Sequence, residues 1–134
     1  MRLYVDSSAL LKIYLDEPET EAAEEVLTGR QWVTGRHTLV EVRRNLHRVL
    51  EDRALNTARS RFARDWGEID AVDIGAAAAE LAAELAEKTG VRSLDALHLG
   101  AAGLAGADDG LQMATFDRRL STAARALGWT VLPE

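Results

Sequence analysis

Five short apolar runs recur along the chain, and a stretch with helical periodicity separates each from the next. Leu3–Val5, Trp32–Thr34, the segment holding Ile69, Val72 and Ile74, Leu111–Phe116 and Trp129–Leu132 read as strands. Between them, Ser8–Leu15, Glu19–Leu27, Ala54–Trp66, Ala76–Lys88, Leu94–Leu104 and Arg118–Leu127 read as helices. A further helix runs from Thr38 to about Arg53, where Leu39, Val42, Leu46, Val49 and Leu50 fall on one face. Gly29, Gly90 and Gly128 sit where helices should close, and Ser93 is the expected N-cap of the Leu94 segment. Strands joined through helices need crossovers, which lay them parallel and cover both faces of the sheet. The expected fold is α/β: one three-layer α/β/α domain over residues 1–134, with a short, mostly parallel sheet of about five strands.

A chain of 134 residues can bury a real core, and 47% apolar with 28% charged residues suits an ordinary soluble protein. The absence of cysteine excludes disulfides and thiolate metal sites and is compatible with a reducing cytoplasm. No secretory leader is expected, because a strand and an aspartate occupy the first six residues. The least polar stretch, Leu94–Ala107, contains Asp95 and His98 and is too short to span a bilayer, so no membrane partner is expected.

A net charge of −6 argues at first against a nucleic-acid partner. Its distribution reverses that. From Arg30 to Arg64 nine Arg face three acids (Glu41, Glu51 and Asp52), whereas the remainder carries 7 basic and 19 acidic residues. Such a basic face can meet phosphate, although an Arg-rich helix can equally be a solvated surface.

Four acids stand apart from the rest. Asp6 in YVDSSALL and Asp117 in MATFDRRL each follow a strand and precede a helix. In a parallel sheet both lie on the carboxyl edge, where open α/β sheets build their sites. Asp95, in RSLDALHL, falls in the first turn of a helix, and Glu41, in LVEVRR, lies one turn into its own among apolar neighbours. Singly, each has an ordinary explanation: helix caps for Asp6 and Asp117, a dipole contact for Asp95, a surface pair with Arg44 for Glu41. Those explanations leave the apolar settings of Glu41 and Asp95 unaccounted for. Clustered carboxylates repel one another, and a hard divalent cation relieves the conflict. Oxygen ligands without cysteine point to Mg²⁺ or Mn²⁺ rather than Zn²⁺, and such ions commonly meet substrate phosphates. Phosphoryl chemistry is the expected use.

The ordered motifs DSSALLKIYLDE, TLVEVRR, RSLDALHLGAA and MATFDRRL resemble the PIN-domain ribonucleases, in particular the VapC toxins of bacterial type II toxin–antitoxin pairs. The resemblance spans essentially the whole chain, and its four acids are separated by 35, 54 and 22 residues. All four acidic positions of the family pattern are filled. The resemblance implies a metal-dependent endoribonuclease, usually a homodimer, silenced by a cognate VapB-type antitoxin. It implies Asp6, Glu41, Asp95 and Asp117 as the catalytic set, with Asp6 and Asp95 as Mg²⁺ or Mn²⁺ ligands. Asp117 would bind the same or a second ion, and Glu41 would hold a water of its shell. In-line attack on single-stranded RNA would leave a 5′-phosphate and a 3′-hydroxyl. Ser7 and Thr115, beside the acids, are expected to hydrogen-bond to them. Arg44 and Arg48 follow Glu41 by three and four residues in turn, so they share its face and are the expected RNA-phosphate contacts.

His98 shares a helix face with Asp95 in a D-x-x-H spacing, but within an apolar helix it reads as a packed or structurally hydrogen-bonded ring. His37 and His47 flank the Arg-rich stretch and are expected to face RNA or solvent. Trp32, Trp66 and Trp129 lie near element ends, as core residues or as contacts for a dimer or an antitoxin. Other α/β classes fit less well. A haloacid-dehalogenase-like phosphotransferase needs a second acid where Ser8 stands, and a phospho-receiver domain needs a late Lys that is missing here. The alternative function is a non-catalytic metal-dependent binding module. Its D-x-S-x-S pattern is broken by Leu10, and it gives Glu41, Asp95 and the arginines no role.

Overall fold

The computed structural model describes residues 1–134. Its strands are β1 (Arg2–Val5), β2 (Gln31–Gly35), β3 (Asp70–Val72), β4 (Gln112–Ala114) and β5 (Val131–Leu132). They form one sheet in the order β3-β2-β1-β4-β5, and every pairing is parallel. The crossovers are helical: α1 (Ser7–Tyr14), α2 (Thr20–Leu27), α3 (Thr38–Val49), α4 (Asp52–Trp66), α5 (Ala76–Thr89), α6 (Ser93–Ala105) and α7 (Arg118–Ala126). The three-layer α/β/α expectation holds, with a sheet that is wholly parallel.

Alternation along the central strand β1 explains the layers. Leu3 and Val5 enter one core with Leu10 and Tyr14 of α1, Leu46 of α3 and Phe62 of α4. Tyr4, between them, enters the opposite core with Leu99 of α6, Met113, Leu120 of α7 and Trp129. Helix α5 lies against α6 at close range. A Cβ on Gly100 would stand 2.6 Å from the Ala78 carbonyl oxygen, so only glycine allows that approach.

Several boundaries differ from expectation. The apolar repeat from Thr38 breaks at Leu50, whose backbone is extended (φ −112°, ψ 155°), and α4 starts at Asp52. Leu50 leaves the helix yet still packs against the α1–α4 core, so burial holds while the hydrogen-bond ladder ends. Strand β4 stops at Ala114 because the Phe116 N–H donates to Ser8 Oγ (2.9 Å), which draws the chain out of the sheet. Ser93 is not an N-cap. Arg92 takes the extended backbone at that position, and Ser93 is the first helical residue.

All three tryptophans pack against the cores. Trp129 is buried and donates from Nε1 to Asp108 (2.7 Å), and Trp32 donates to the Leu27 carbonyl (2.9 Å). Trp66 packs on Phe62 with ring centroids 5.7 Å apart. No helix is long and apolar enough to cross a membrane.

Candidate active site

Asp6 stands where β1 becomes α1 and is 2% exposed. Its Oδ1 accepts the Ala9 N–H (2.9 Å), which caps the helix. Its Oδ2 accepts from the Thr115 hydroxyl (2.5 Å), and Ser8 Oγ lies 2.8 and 2.9 Å from the two oxygens. Thr115 Oγ1 also accepts the Asp117 N–H (3.0 Å), so one hydroxyl pair ties the ends of β1 and β4 together. Burial pushes the Asp6 carboxyl up, and His98, Thr115, Ala9 and Ser8 pull it only partly back. The expected support from Thr115 is present. The second supporting hydroxyl belongs to Ser8 rather than Ser7, because from the first helical turn the residue two positions on reaches back to the cap.

Asp117 caps α7, with Oδ1 accepting from the Arg119 (2.9 Å) and Leu120 (3.2 Å) amides, which leaves Oδ2 free. Asp95, in the first turn of α6, is half-buried, and its carboxylate has no hydrogen-bond or ion-pair partner in the protein. Burial raises it first, and the negative charge of Asp117 adds to that, followed by those of Asp6 and Glu41. The capping explanation and the clustering therefore both hold for Asp6 and Asp117. Acids from four separate segments lie close enough at one edge of the sheet for Asp117, Asp6 and Glu41 to act on Asp95 through their charge. A half-buried carboxylate without a partner, raised by its neighbours' charge, is a setting that suits a hard divalent cation.

Glu41 is placed differently. Its Oε1 accepts from His98 Nε2 at 2.8 Å, and His37 Nε2 lies 3.6 Å away. Burial alone would raise this carboxyl. His98 in particular, then His37 and the Ser7 hydroxyl, more than reverse that and hold it below the ordinary range. Ser7 makes no side-chain hydrogen bond to Asp6, and its hydroxyl lies close enough to Glu41 to favour that carboxylate slightly. His98 is buried and bonds Tyr4 Oη through Nδ1 (2.8 Å), the structural role expected of it.

His37 departs from expectation. Rather than facing solvent, its ring packs on His98, with ring centroids 4.2 Å apart, and both its nitrogens are buried without a hydrogen-bond partner. Burial and the neighbouring His98 push it down to about 4, so it is neutral at pH 7. Its packing against α6 overrides its polarity. His37, Glu41 and His98 place one ligand atom each within 4.8 Å of one another, a closer trio than the aspartates form. His47 is exposed, as expected.

Arg44 and Arg48 are exposed on α3. Arg48 and Asn45 line a groove of about 470 Å³ with Ser8, Lys12 and Phe116, so that groove begins beside the Asp6 cage. Arg48 Nη2 also donates to Asn45 Oδ1 (3.1 Å).

The PIN domain family matches residues 3–126 of the chain. Ribonuclease VapC35 of Mycobacterium tuberculosis is 37% identical over 135 residues, which cover 97% of this chain and 95% of that one. Among solved structures, the VapC20 toxin of Mycobacterium tuberculosis, titled a sarcin-ricin loop cleaving toxin, superposes with a TM-score of 0.73 at 19% identity. It covers 96% of each chain. A toxin–antitoxin complex from Klebsiella pneumoniae gives a TM-score of 0.68 at 17% identity over 86% of each chain. Shared fold, full-length coverage and the named VapC relatives agree: this chain belongs to the PIN-domain family, among its VapC-type members.

Proposed function

We propose that the chain is the toxin of a toxin–antitoxin pair, a Mg²⁺- or Mn²⁺-dependent endoribonuclease that cuts single-stranded RNA by water attack on a phosphodiester. One observation carries the reading: Asp6, Glu41, Asp95 and Asp117 share one sheet edge, and Asp95 feels the charge of the other three. Membership of the VapC-type PIN family supports it.

When bound, a divalent cation screens the phosphate charge and makes a nearby water more acidic. Asp95, Asp117 and Asp6 would hold it; Asp95 has no protein donor, and one oxygen of Asp117 is likewise unoccupied. Glu41, kept ionised, orients the attacking water and accepts its proton. Thr115 and Ser8 hold the Asp6 carboxylate in one orientation. Arg44 and Arg48 hold neighbouring phosphates while one bond is cut, leaving a 5′-phosphate and a 3′-hydroxyl. The partners in this reading are a second copy of the chain and a VapB-type antitoxin whose basic side chain competes with the cation among the acids.

Cleavage of single-stranded RNA in Mg²⁺ tests the reading. Asp95→Asn, which removes charge and keeps shape, should lower the rate at least about a hundredfold. Excess EDTA should abolish cleavage. Full activity in either case overturns it, and RNA bound intact in Mg²⁺ favours the non-catalytic binding module instead.

A further inference from the structure

We propose that His98 and Tyr4 are positioning residues for Glu41, roofed by His37, so that a buried hydrogen-bonded chain aims the carboxylate that handles the attacking water. The proposal rests on the ribonuclease reading above. The chain begins at the Gly35 N–H, which donates to Tyr4 Oη (3.1 Å). Tyr4 Oη lies 2.8 Å from His98 Nδ1, and His98 Nε2 lies 2.8 Å from Glu41 Oε1.

Proton placement along this chain is determined by its members. Tyr4 is fully buried, and an ordinary phenol holds its proton at neutral pH, so Oη is available as a donor. The Gly35 amide is only a donor, so the phenolic proton goes to His98 Nδ1. Nδ1 then accepts from the phenol, and the ring donates from Nε2 to the Glu41 carboxylate. Oε1 is committed, and the second carboxylate oxygen remains to accept from water in a fixed position. The same placement removes the lone pair that His98 Nε2 would need to bind a metal. The close trio of His37, Glu41 and His98 is therefore a hydrogen-bonded relay and not a ready ligand set. His37, with no partner of its own, keeps water off the relay, where a low local dielectric strengthens each bond. Gly35 serves twice: it supplies the first donor, and a Cβ there would stand 2.5 Å from the His37 ring.

Two substitutions separate aiming from packing. Gln keeps a donor near Nε2, and Asn does not. His98→Asn should lower kcat roughly 10- to 100-fold with the KM for RNA unchanged, and His98→Gln should restore most of that loss. Equal impairment of the two variants, with melting temperatures alike, would leave His98 only a packing role and overturn the proposal. Nitrogen-15 NMR of the wild-type imidazoles adds a readout independent of activity, so failure of the ribonuclease reading leaves the relay testable. The expected result is His98 protonated at Nε2 and not at Nδ1, lost in Tyr4→Phe. A proton on Nδ1, or Zn²⁺ added alone binding at both His37 and His98, overturns the relay.

Discussion

Asp6 answers two demands that pull against each other. As a helix cap it is best ionised, yet at 2% exposure its charge is costly. Burial raises Asp6 in the folded chain, and burial and like charge raise Asp95. A raised acid binds its proton more tightly folded than unfolded. Its effect on stability is most favourable below the unfolded pKa, about 4, and declines as pH rises from there through the folded value. Glu41, held low, runs the other way: its contribution is present above its unfolded pKa and is lost as pH falls through the folded one. Asp6→Asn should therefore raise the melting temperature of the metal-free protein at pH 7, with the gain vanishing near pH 4. The Thr115 and Ser8 hydroxyls can each turn to accept from the amide, so the cage survives the change. Thermal melts in EDTA at both pH values check this, and a lower melting temperature for the variant at pH 7 would count against it.

Elements meet most tightly where α5 crosses α6. Gly100→Ala puts a methyl 2.6 Å from a backbone oxygen that cannot turn aside, so the helices must part. Overpacking of this kind costs about 1–3 kcal/mol. The urea midpoint should fall at an unchanged slope, whereas an unaltered midpoint would mean the two helices part freely. What the chain's pattern reveals, and what it hides, also divides at this scale. The strand–acid–helix junctions at Asp6 and Asp117 are legible because the change of period and the capping acid are local. The break at Leu50 is not, since the apolar repeat runs through it and only packing against α1 decides where the ladder ends. DSS offers two hydroxyls, and the first-turn geometry of α1 chooses Ser8 for Asp6. The relay is hidden for a different reason. Tyr4 and His98 are 94 residues apart, and His98 and Glu41 are 57 apart. Their meeting follows from how α3 and α6 seat against the sheet, which no spacing along the chain expresses. The same packing takes His37 out of the solvent-facing role its neighbours suggested.

At the scale of the molecule, the proposed function asks an acidic protein to hold a polyanion. The arginines between Arg30 and Arg64 give that region a balance of +6 (nine Arg less three acids), against −12 (7 less 19) elsewhere. At a Debye length near 8 Å in physiological salt, RNA at this surface feels mainly the local charge. Glu41, Arg44 and Arg48 are neighbours on α3, and Arg48 borders the groove that starts at Ser8 and Phe116. One phosphate at the acids would thus place the next ones along exposed guanidinium groups. Each phosphate contact on a single strand contributes a slope of about −0.7 to log K against log salt. Arg44→Ala with Arg48→Ala, in an Asp6→Asn background that prevents cleavage, should flatten the slope by about 1.4 and weaken all sequences alike. A change confined to particular sequences would mean that these side chains read bases. An unchanged slope with lost affinity for the antitoxin would assign the arginine face to a protein partner. The acidic remainder of the chain predicts the direction of any residual effect: long-range repulsion, strongest at low salt, where the double variant should lose most.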